Sequence, residues 1–278
     1  MPSIREKVRR KVSRAIRDFE MFARKDKLLL ALSGGKDSVT LLLVLRELNY
    51  TFEALYIDLG VPSFSEISEK AVREICERED IPLHIVRAEQ EKRISVQNVT
   101  QDYPGKECNV CGTLKRQLFN RFALENGFDV LLVAHNLDDE AAMLFGNNRN
   151  WDFSYLRKSL PVLHGKSGFV KRAKPLCYVR EDETKLYTRY LSLPVVSESC
   201  PFSTGKSRRK YDEILEFSDE RFPDFTETYY RSFLGSAAIL QSLPQEEVTL
   251  QPCEECGELS ATRLCRLCAV KKGVWKKS

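Results

Sequence analysis

The sequence predicts an α/β fold, a doubly wound parallel sheet with an N-terminal helix and a small cysteine-rich C-terminal segment. Three observations predict it. Short apolar runs alternate with helical patterns from Leu28 to His135, a glycine pair separates the first run from the helix after it, and two close cysteine pairs lie near the end of the chain. Strands alternating with helices imply a parallel sheet covered on both faces. Ligands in such sheets bind beyond the carboxyl ends of the strands.

Ile4, Val8, Val12, Ile16 and Phe19 recur at helical spacing, so residues 1–27 read as a basic amphipathic helix that precedes the main domain. Leu28 to Leu32 is a buried strand ending at Ser33-Gly34-Gly35-Lys36-Asp37-Ser38, and the run after it is a helix. Phe52 to Asp58 is a second strand, Glu66 to Arg78 a helix and Ile81 to Val86 a third strand. A helix through Leu114 and Phe122 leads to a fourth strand, Asp129 to His135, so the main domain is expected over residues 28–200. Beyond Pro201 the strand pattern stops, and helical stretches from Tyr211 to Phe217 and from Thr226 to Leu240 form an extension over residues 201–247. Pro244 and Pro252 bracket a linker, and residues 248–278 hold the cysteine quartet and a basic tail.

A chain of 278 residues can bury a sizeable core. With 42% hydrophobic and 30% charged residues it has a globular composition, and no apolar run approaches the roughly 20 residues of a membrane span. The N-terminus carries charge throughout and has no cleavage site, so a cytoplasmic location is expected. In such a setting nine cysteines at paired spacings point to metal rather than to disulfides.

The net charge of +4 is small, but the basic residues cluster. Arg5, Lys7, Arg9, Arg10, Lys11, Arg14 and Arg17 load the first helix, and Lys171, Arg172 and Lys174 fall in an expected mid-chain loop. Lys206, Arg208, Arg209 and Lys210 form a third group, and Lys271, Lys272, Lys276 and Lys277 a fourth. Any one cluster is equally a solvated face or tail. A polyanion spanning several of them would be large, and RNA is the obvious class.

The segment LLLALSGGKDSVTLLLVL places glycines and small hydroxyl residues between a buried strand and a helix N-terminus. Glycine lets the backbone approach a phosphate, and free N–H groups with the helix dipole favour an anion. Lys36 adds a positive charge, and Ser33 and Ser38 offer hydroxyl donors. The Walker spacing G-x-x-x-x-G-K-[ST] is absent.

Cys108-Asn109-Val110-Cys111 is followed far along the chain by Glu198-Ser199-Cys200-Pro201. Three thiolates close a structural zinc site only with a fourth ligand, which His135 or His164 would supply. Three also suffice for a 4Fe-4S cluster with one open iron, and a C-x-x-C redox pair is a third reading. Spacing leaves these open. Cys253, Cys256, Cys265 and Cys268 have the spacing of a zinc ribbon, whose closed tetrahedral site supplies folding energy to a short segment. Such a ribbon serves as a structural staple or docks RNA. Cys76, among Val72 and Ile75, and Cys177, beside Leu176, read as small buried hydrophobes.

SGGKDS resembles the PP-loop of ATP pyrophosphatases. With CNVCGTLKR, AHNLDDEA, KPL followed by Glu181-Asp182-Glu183, and ESCP, all in that order, residues 3–270 resemble the TtuA/NcsA branch of the TtcA-like tRNA thiolases. The resemblance implies an adenine nucleotide alpha-hydrolase-like fold. Ser33, Gly34, Gly35, Lys36, Asp37 and Ser38 would grip the pyrophosphate of ATP with its Mg2+, and Ala31, Ile57 and Ala134 would border the nucleotide. It makes Cys108, Cys111 and Cys200 the 4Fe-4S ligands, Lys115 a nucleotide contact or catalytic group, and Asp139 a catalytic acid.

On a helix, Lys115 would share the face of Cys111. The plainer readings are an exposed helix lysine for Lys115, dipole-complementing charge for Asp138, Asp139 and Glu140, and a site-shaping strand end for His135.

The implied activity is ATP-dependent tRNA uridine 2-sulfur transfer: adenylation of the uridine C2 oxygen, then its replacement by sulfur delivered through the cluster. The implied partners are tRNA and a sulfur donor, either sulfide or a ubiquitin-like thiocarboxylate protein, with no membrane and with a homodimeric state. The wobble and T-loop uridines are both open as targets. Members of the family commonly carry an N-terminal zinc ribbon, whereas residues before Ser33 here contain no cysteine or histidine, and the basic helix is expected to replace the ribbon's RNA-binding role. The alternatives are a PP-loop amidating or ligating enzyme acting on a small carboxylate without a cluster, and a zinc-ribbon RNA-binding adaptor.

Overall fold

The computed structural model describes residues 3–92, 107–149, 151, 153–166, 168–198, 200–203, 207–242 and 249–274. Ser199, Lys206, Pro244, Lys276 and Lys277 lie outside the described residues.

Strands β1 (Leu28–Ala31), β2 (Phe52–Asp58), β3 (Leu83–Arg87) and β4 (Val130–Leu132) run parallel. Leu28 stands opposite Phe52 on one side and Val130 on the other, which makes β1 central. Two strands that the sequence did not announce, β5 (Val162–Leu163) and β6 (Lys171–Ala173), extend the sheet to the order β3-β2-β1-β4-β6-β5, with β5 antiparallel to β6. Lys171 and Arg172, expected in a loop, are therefore sheet residues, with Arg172 in register with Leu131. A strand of three residues is too short to show alternation, and the ladder offered by β4 decides its conformation.

Because successive strand residues face opposite sides, Leu28 and Leu30 belong to one core and Leu29 to another. The first core takes α1 (Ile4–Asp18), α2 (Lys36–Glu47), α3 (Phe64–Glu79), α6 (Leu137–Asn148) and α8 (Glu181–Tyr190), numbering helices in chain order with α4 as Ala88–Lys92, α5 as Glu107–Glu125 and α7 as Phe153–Leu156. In α1, Ser3 caps the helix by accepting the Glu6 N–H at 3.2 Å, and Val8, Val12, Ala15 and Ile16 form the buried stripe. Burying each such valine or isoleucine is worth about 1.5–3 kcal/mol.

On the opposite face, α5 lays Val110, Leu114 and Leu118 against Leu29, Leu55 and Leu131. The C-terminal hairpin β7 (Gln251–Pro252) with β8 (Leu259–Ser260), and α12 (Arg266–Lys271), join that second core through Cys253, Cys265, Leu267 and Val270. The helical stretch from Thr226 to Leu240 is two helices, α10 (Phe225–Gly235) and α11 (Ala237–Ser242), which follow α9 (Ser207–Arg221). No helix among the described residues is long and apolar enough to cross a membrane.

Much of the clustered basic charge is neutralised inside the chain. Lys7 and Lys11 lie 2.9 and 2.7 Å from the two oxygens of Glu183, Arg5 pairs with Glu47 at 2.8 Å, and Arg14 with Asp18 at 3.0 Å. Lys171 donates to the Glu20 carbonyl at 3.2 Å, and Lys174 is only 2% exposed. The mid-chain cluster is therefore not the solvated basic loop that the sequence suggested.

Candidate functional site

The carboxyl ends of the parallel strands β2, β1 and β4 lie along one edge of the sheet, and Ile57, Ala31 and Ala134 sit at those ends. Between β1 and α2 the chain turns at Gly34, whose φ of +80° favours glycine, and a Cβ there would press on Val196 Cγ2 at 3.2 Å and the Ser68 carbonyl at 3.3 Å. Gly35 differs. It is the N-cap of α2 with an ordinary φ of −77°, and a Cβ on it would meet only Ser33 Oγ, at 3.6 Å. Its missing side chain leaves open space at the end of a helix that has no side-chain cap. Uncapped N–H groups and a bare approach are what a phosphate requires, so the loop fits the phosphates of a nucleotide.

The loop is braced from within. Ser38 Oγ donates to the Gly35 carbonyl at 3.0 Å and accepts the Ser33 N–H at 3.2 Å. Lys36 Nζ lies 2.8 Å from Asp37 Oδ2 and 3.2 Å from Glu181 Oε1. Burial opposes the charge of Lys36, but these two carboxylates outweigh it and hold its pKa above the ordinary lysine value. Asp37 Oδ1 in turn accepts from Thr184 Oγ1 at 2.6 Å and from Asn136 Nδ2 at 3.2 Å.

The acids at the start of α6 divide by environment. Asp139 closes a capping box with Asn136: its carboxylate accepts the Asn136 N–H and its own N–H donates to Asn136 Oδ1, both at 2.9 Å. Asp138 accepts the Glu181 N–H at 2.7 Å and faces Arg180 at 3.0 Å, yet burial raises its pKa. Glu140 is fully buried between Lys174 and His135, whose Nδ1 is 2.9 Å away. Burial alone would push the Glu140 carboxyl up, and Lys174 chiefly, with His135, holds it ionised below its usual value.

Cys108 and Cys111 open α5, and Cys200 precedes a short turn, Pro201–Ser203. Cys108 Sγ donates to the Phe202 carbonyl at 3.1 Å, and Val196 N–H donates to the Gly34 carbonyl at 2.9 Å. The segment carrying Cys200 is thus tied to Cys108 on one side and to the phosphate loop on the other. Cys111 and Cys200 are part-buried against the same apolar cluster. Cys108, Cys111 and Cys200 do not form a set whose ligand atoms converge within 4.8 Å, as the C-terminal quartet does among the described residues, and it is the chemistry of three soft thiols that suits an iron-sulfur cluster. His135 is engaged by Glu140, and neither it nor His164 joins a metal-ligand group among the described residues.

Lys115 lies one turn beyond Cys111, half-buried. Cys76 and Cys177 are 2% and 0% exposed, and burial pushes the Cys76 thiol up to about 12, so both are inert core residues.

In the C-terminal segment the sulfurs of Cys253, Cys256, Cys265 and Cys268 lie within 4.8 Å of one another. Cys253 Sγ also accepts the Cys265 N–H at 3.1 Å, as ribbon thiolates do. Four convergent thiols make this a closed metal-ligand set.

Thr184, Glu181 and Asn136, which fix the side chains of the phosphate loop, were not assigned that part from the sequence. Glu181 and Asn136 stood inside noted motifs, but nothing in their spacing named Lys36 or Asp37 as their partners.

Residues 4–150 match the family described as the PP-loop domain. The chain is 37% identical over 277 residues to a tRNA-5-methyluridine(54) 2-sulfurtransferase of Thermotoga maritima, covering 98% of this chain and 89% of that protein. It is 34% identical over 264 residues to the protein of the same name from Pyrococcus horikoshii, covering 95% and 84%. Among solved structures it is similar to the U34-tRNA thiolase NcsA from Methanococcus maripaludis with its [4Fe-4S] cluster, with a TM-score of 0.79, 28% identity, and coverage of 99% and 89%. NMN synthetase from Francisella tularensis, 13% identical with a TM-score of 0.53 over 90% of this chain and 100% of that one, shares the fold alone.

Proposed function

Because the chain belongs to the PP-loop family, in its TtuA/NcsA group of tRNA 2-thiolation enzymes, we propose that it is an ATP-dependent tRNA uridine 2-sulfurtransferase working in the crevice between the phosphate loop and the three cysteines. The observation that carries the reading is the Gly34 to Val196 hydrogen bond, which joins the nucleotide loop to the segment bearing Cys200.

ATP with Mg2+ would be held by Ser33 to Ser38, with the adenosine against Ala31, Ile57 and Ala134 at the strand ends. The uridine C2 oxygen attacks the α-phosphorus, pyrophosphate leaves, and the oxygen becomes part of a good leaving group. Lys36 and the N–H groups at the start of α2 stabilise the phosphate charge that shifts during this step. Asp37, oriented by Thr184 and Asn136, would face the phosphates of the bound nucleotide. Lys115 contributes a second cation from the Cys111 side. Sulfur then adds at C2 and AMP departs with the original oxygen.

A 4Fe-4S cluster on Cys108, Cys111 and Cys200 would keep one iron free of protein ligands, and its chemistry is to hold sulfide as a nucleophile. Zinc on the C-terminal quartet would be structural. The donor is sulfide or a thiocarboxylate protein, the protein is cytoplasmic, and it acts as a homodimer. We place Asp139 in support of the site rather than in proton transfer, since its capping box orients the helix end that carries Asn136 toward Asp37.

The target is the T-loop uridine. The relatives named for position 54 reach 37% and 34% identity, above the 28% of the position 34 thiolase. Nucleoside mass spectrometry of tRNA incubated with the iron-loaded protein, Mg-ATP and sulfide tests this. A 2-thiouridine derivative at position 54 is expected. Sulfur at position 34 would replace the target, and its absence from all tRNA positions would remove the function.

A further inference from the structure

Helix α5 presents Cys108, Cys111 and Lys115 along one side. At about 100° per residue, Arg116, Gln117 and Asn120 lie on a different side, where they line a cleft of about 490 Å³ closed opposite by Phe169 and by Leu259 of the C-terminal ribbon. That volume falls within the ~300–1,000 Å³ range of small-ligand sites.

The cleft is built rigidly. Asn120 Nδ2 donates to the Gly168 carbonyl at 2.8 Å and its Oδ1 accepts the Val170 N–H at 3.0 Å, so one side chain pins both ends of the turn that presents Phe169. Leu259 seats on Gly168, which has a φ of +84° and no room for a Cβ.

Its lining is mixed in a particular way. Phe169 is 46% exposed, a large aromatic face open to solvent. Gln117 Oε1 is buried without a hydrogen-bond partner. The Arg116 guanidinium folds back over Gly112 and donates to Thr113 Oγ1 at 3.3 Å, with no carboxylate paired to it among the described residues. Burial chiefly, with the nearby Arg172 and Arg266 guanidiniums, pushes Arg116 below its ordinary pKa against the opposing effect of Cys111, and Glu258 is the one carboxylate lining the cleft.

We propose that this cleft binds an unstacked nucleotide of the tRNA substrate, remote from the reacting uridine, with the base on Phe169 and the phosphate on Arg116. The assignment rests on the reading of the chain as a tRNA thiolase. An exposed aromatic beside an amide acceptor and an unmatched arginine is the chemistry by which single-stranded RNA is held: stacking, a base-edge hydrogen bond to Gln117 and charge neutralisation. It gives the ribbon a part in substrate binding, because Leu259 forms the far wall.

The test is the affinity of the full-length, metal-loaded protein for unmodified tRNA by fluorescence anisotropy across a salt series. Phe169→Ala, at an exposed position, should weaken binding about ten-fold. Arg116→Gln should weaken it and flatten the salt dependence by about one ion, and Arg116→Lys should restore the slope. ATP affinity, iron content and the thermal transition should not move. Unchanged tRNA affinity in both variants, with wild-type protein binding and thiolating tRNA, overturns the cleft and leaves the function standing. Intact tRNA affinity with a weakened response to a thiocarboxylate donor protein overturns it in favour of a protein-binding cleft. Wild-type protein that neither binds nor thiolates tRNA overturns both.

Discussion

Thr184 Oγ1 donates to Asp37 Oδ1 at 2.6 Å across 147 residues of sequence. A hydroxyl on α8, itself 0% exposed, thereby sets the direction of the one carboxylate in the phosphate loop. Thr184→Val keeps the volume and removes the donor. Hydrogen bonds to charged groups are worth about 1.5–3 kcal/mol, so Mg-ATP affinity should fall roughly ten-fold or more. Isothermal calorimetry checks this, and unchanged affinity would mean that Asn136 and Lys36 orient Asp37 without the hydroxyl.

The two loop glycines should fail in opposite ways. Gly34→Ala forces a side chain into a left-handed conformation against Val196 and Val72, at a cost of about 1–2 kcal/mol in stability. Gly35→Val leaves folding nearly intact because its φ is ordinary and its Cβ would point into open space, yet it should abolish ATP binding. Denaturant melts paired with ATP titrations separate the two. Normal ATP affinity in folded Gly35→Val would remove the phosphate-loop assignment.

Alanine at Cys108, Cys111 or Cys200 should end thiolation and remove iron while ATP binding persists, since the phosphate loop is built from other residues. Metal analysis and anaerobic Mössbauer spectra, with and without added sulfide, read the cluster and its open iron. Full thiolation without iron would remove the cluster from the mechanism.

Cys256→Ser should release the C-terminal metal and loosen the ribbon, leaving the iron chromophore in place. Elemental analysis beside visible absorbance tests the separation of the two sites. Loss of iron with full retention of the ribbon metal would show that the quartet has been assigned wrongly.

Glu183 predicts a pH effect of definite sign. Burial pushes its carboxyl up, but Lys11, Lys7 and the Arg180 N–H, at 2.8 Å, more than reverse this and hold it below its usual value. A carboxylate depressed in the folded state contributes stability that is complete above the unfolded pKa of about 4.3 and is lost as pH falls through the folded value. Glu183→Gln should lower stability at neutral pH by about 1–3 kcal/mol, allowing for the solvent exposure of Lys7, and should make stability less dependent on pH below about 4.3. Urea titrations from pH 3 to 7 measure both.

The sequence by itself determined the four central strands, the helices between them, the phosphate loop and the C-terminal cysteine quartet. Those features are local: an apolar run, a glycine pair and a C-x-x-C spacing act over a few residues, and their physics is complete at that range. Only the tertiary structure decided that Lys171 and Arg172 lie in a strand, because a three-residue segment has no periodicity of its own and takes its conformation from β4. Only it decided that the lysines of α1 are matched by Glu183, that Lys174 is buried on Glu140, and that Thr184 aims Asp37. Each of those choices depends on which distant side chain arrives opposite. Charge and hydrogen-bond partners are properties of pairs, and the pairs here are separated by long stretches of chain that the sheet brings together.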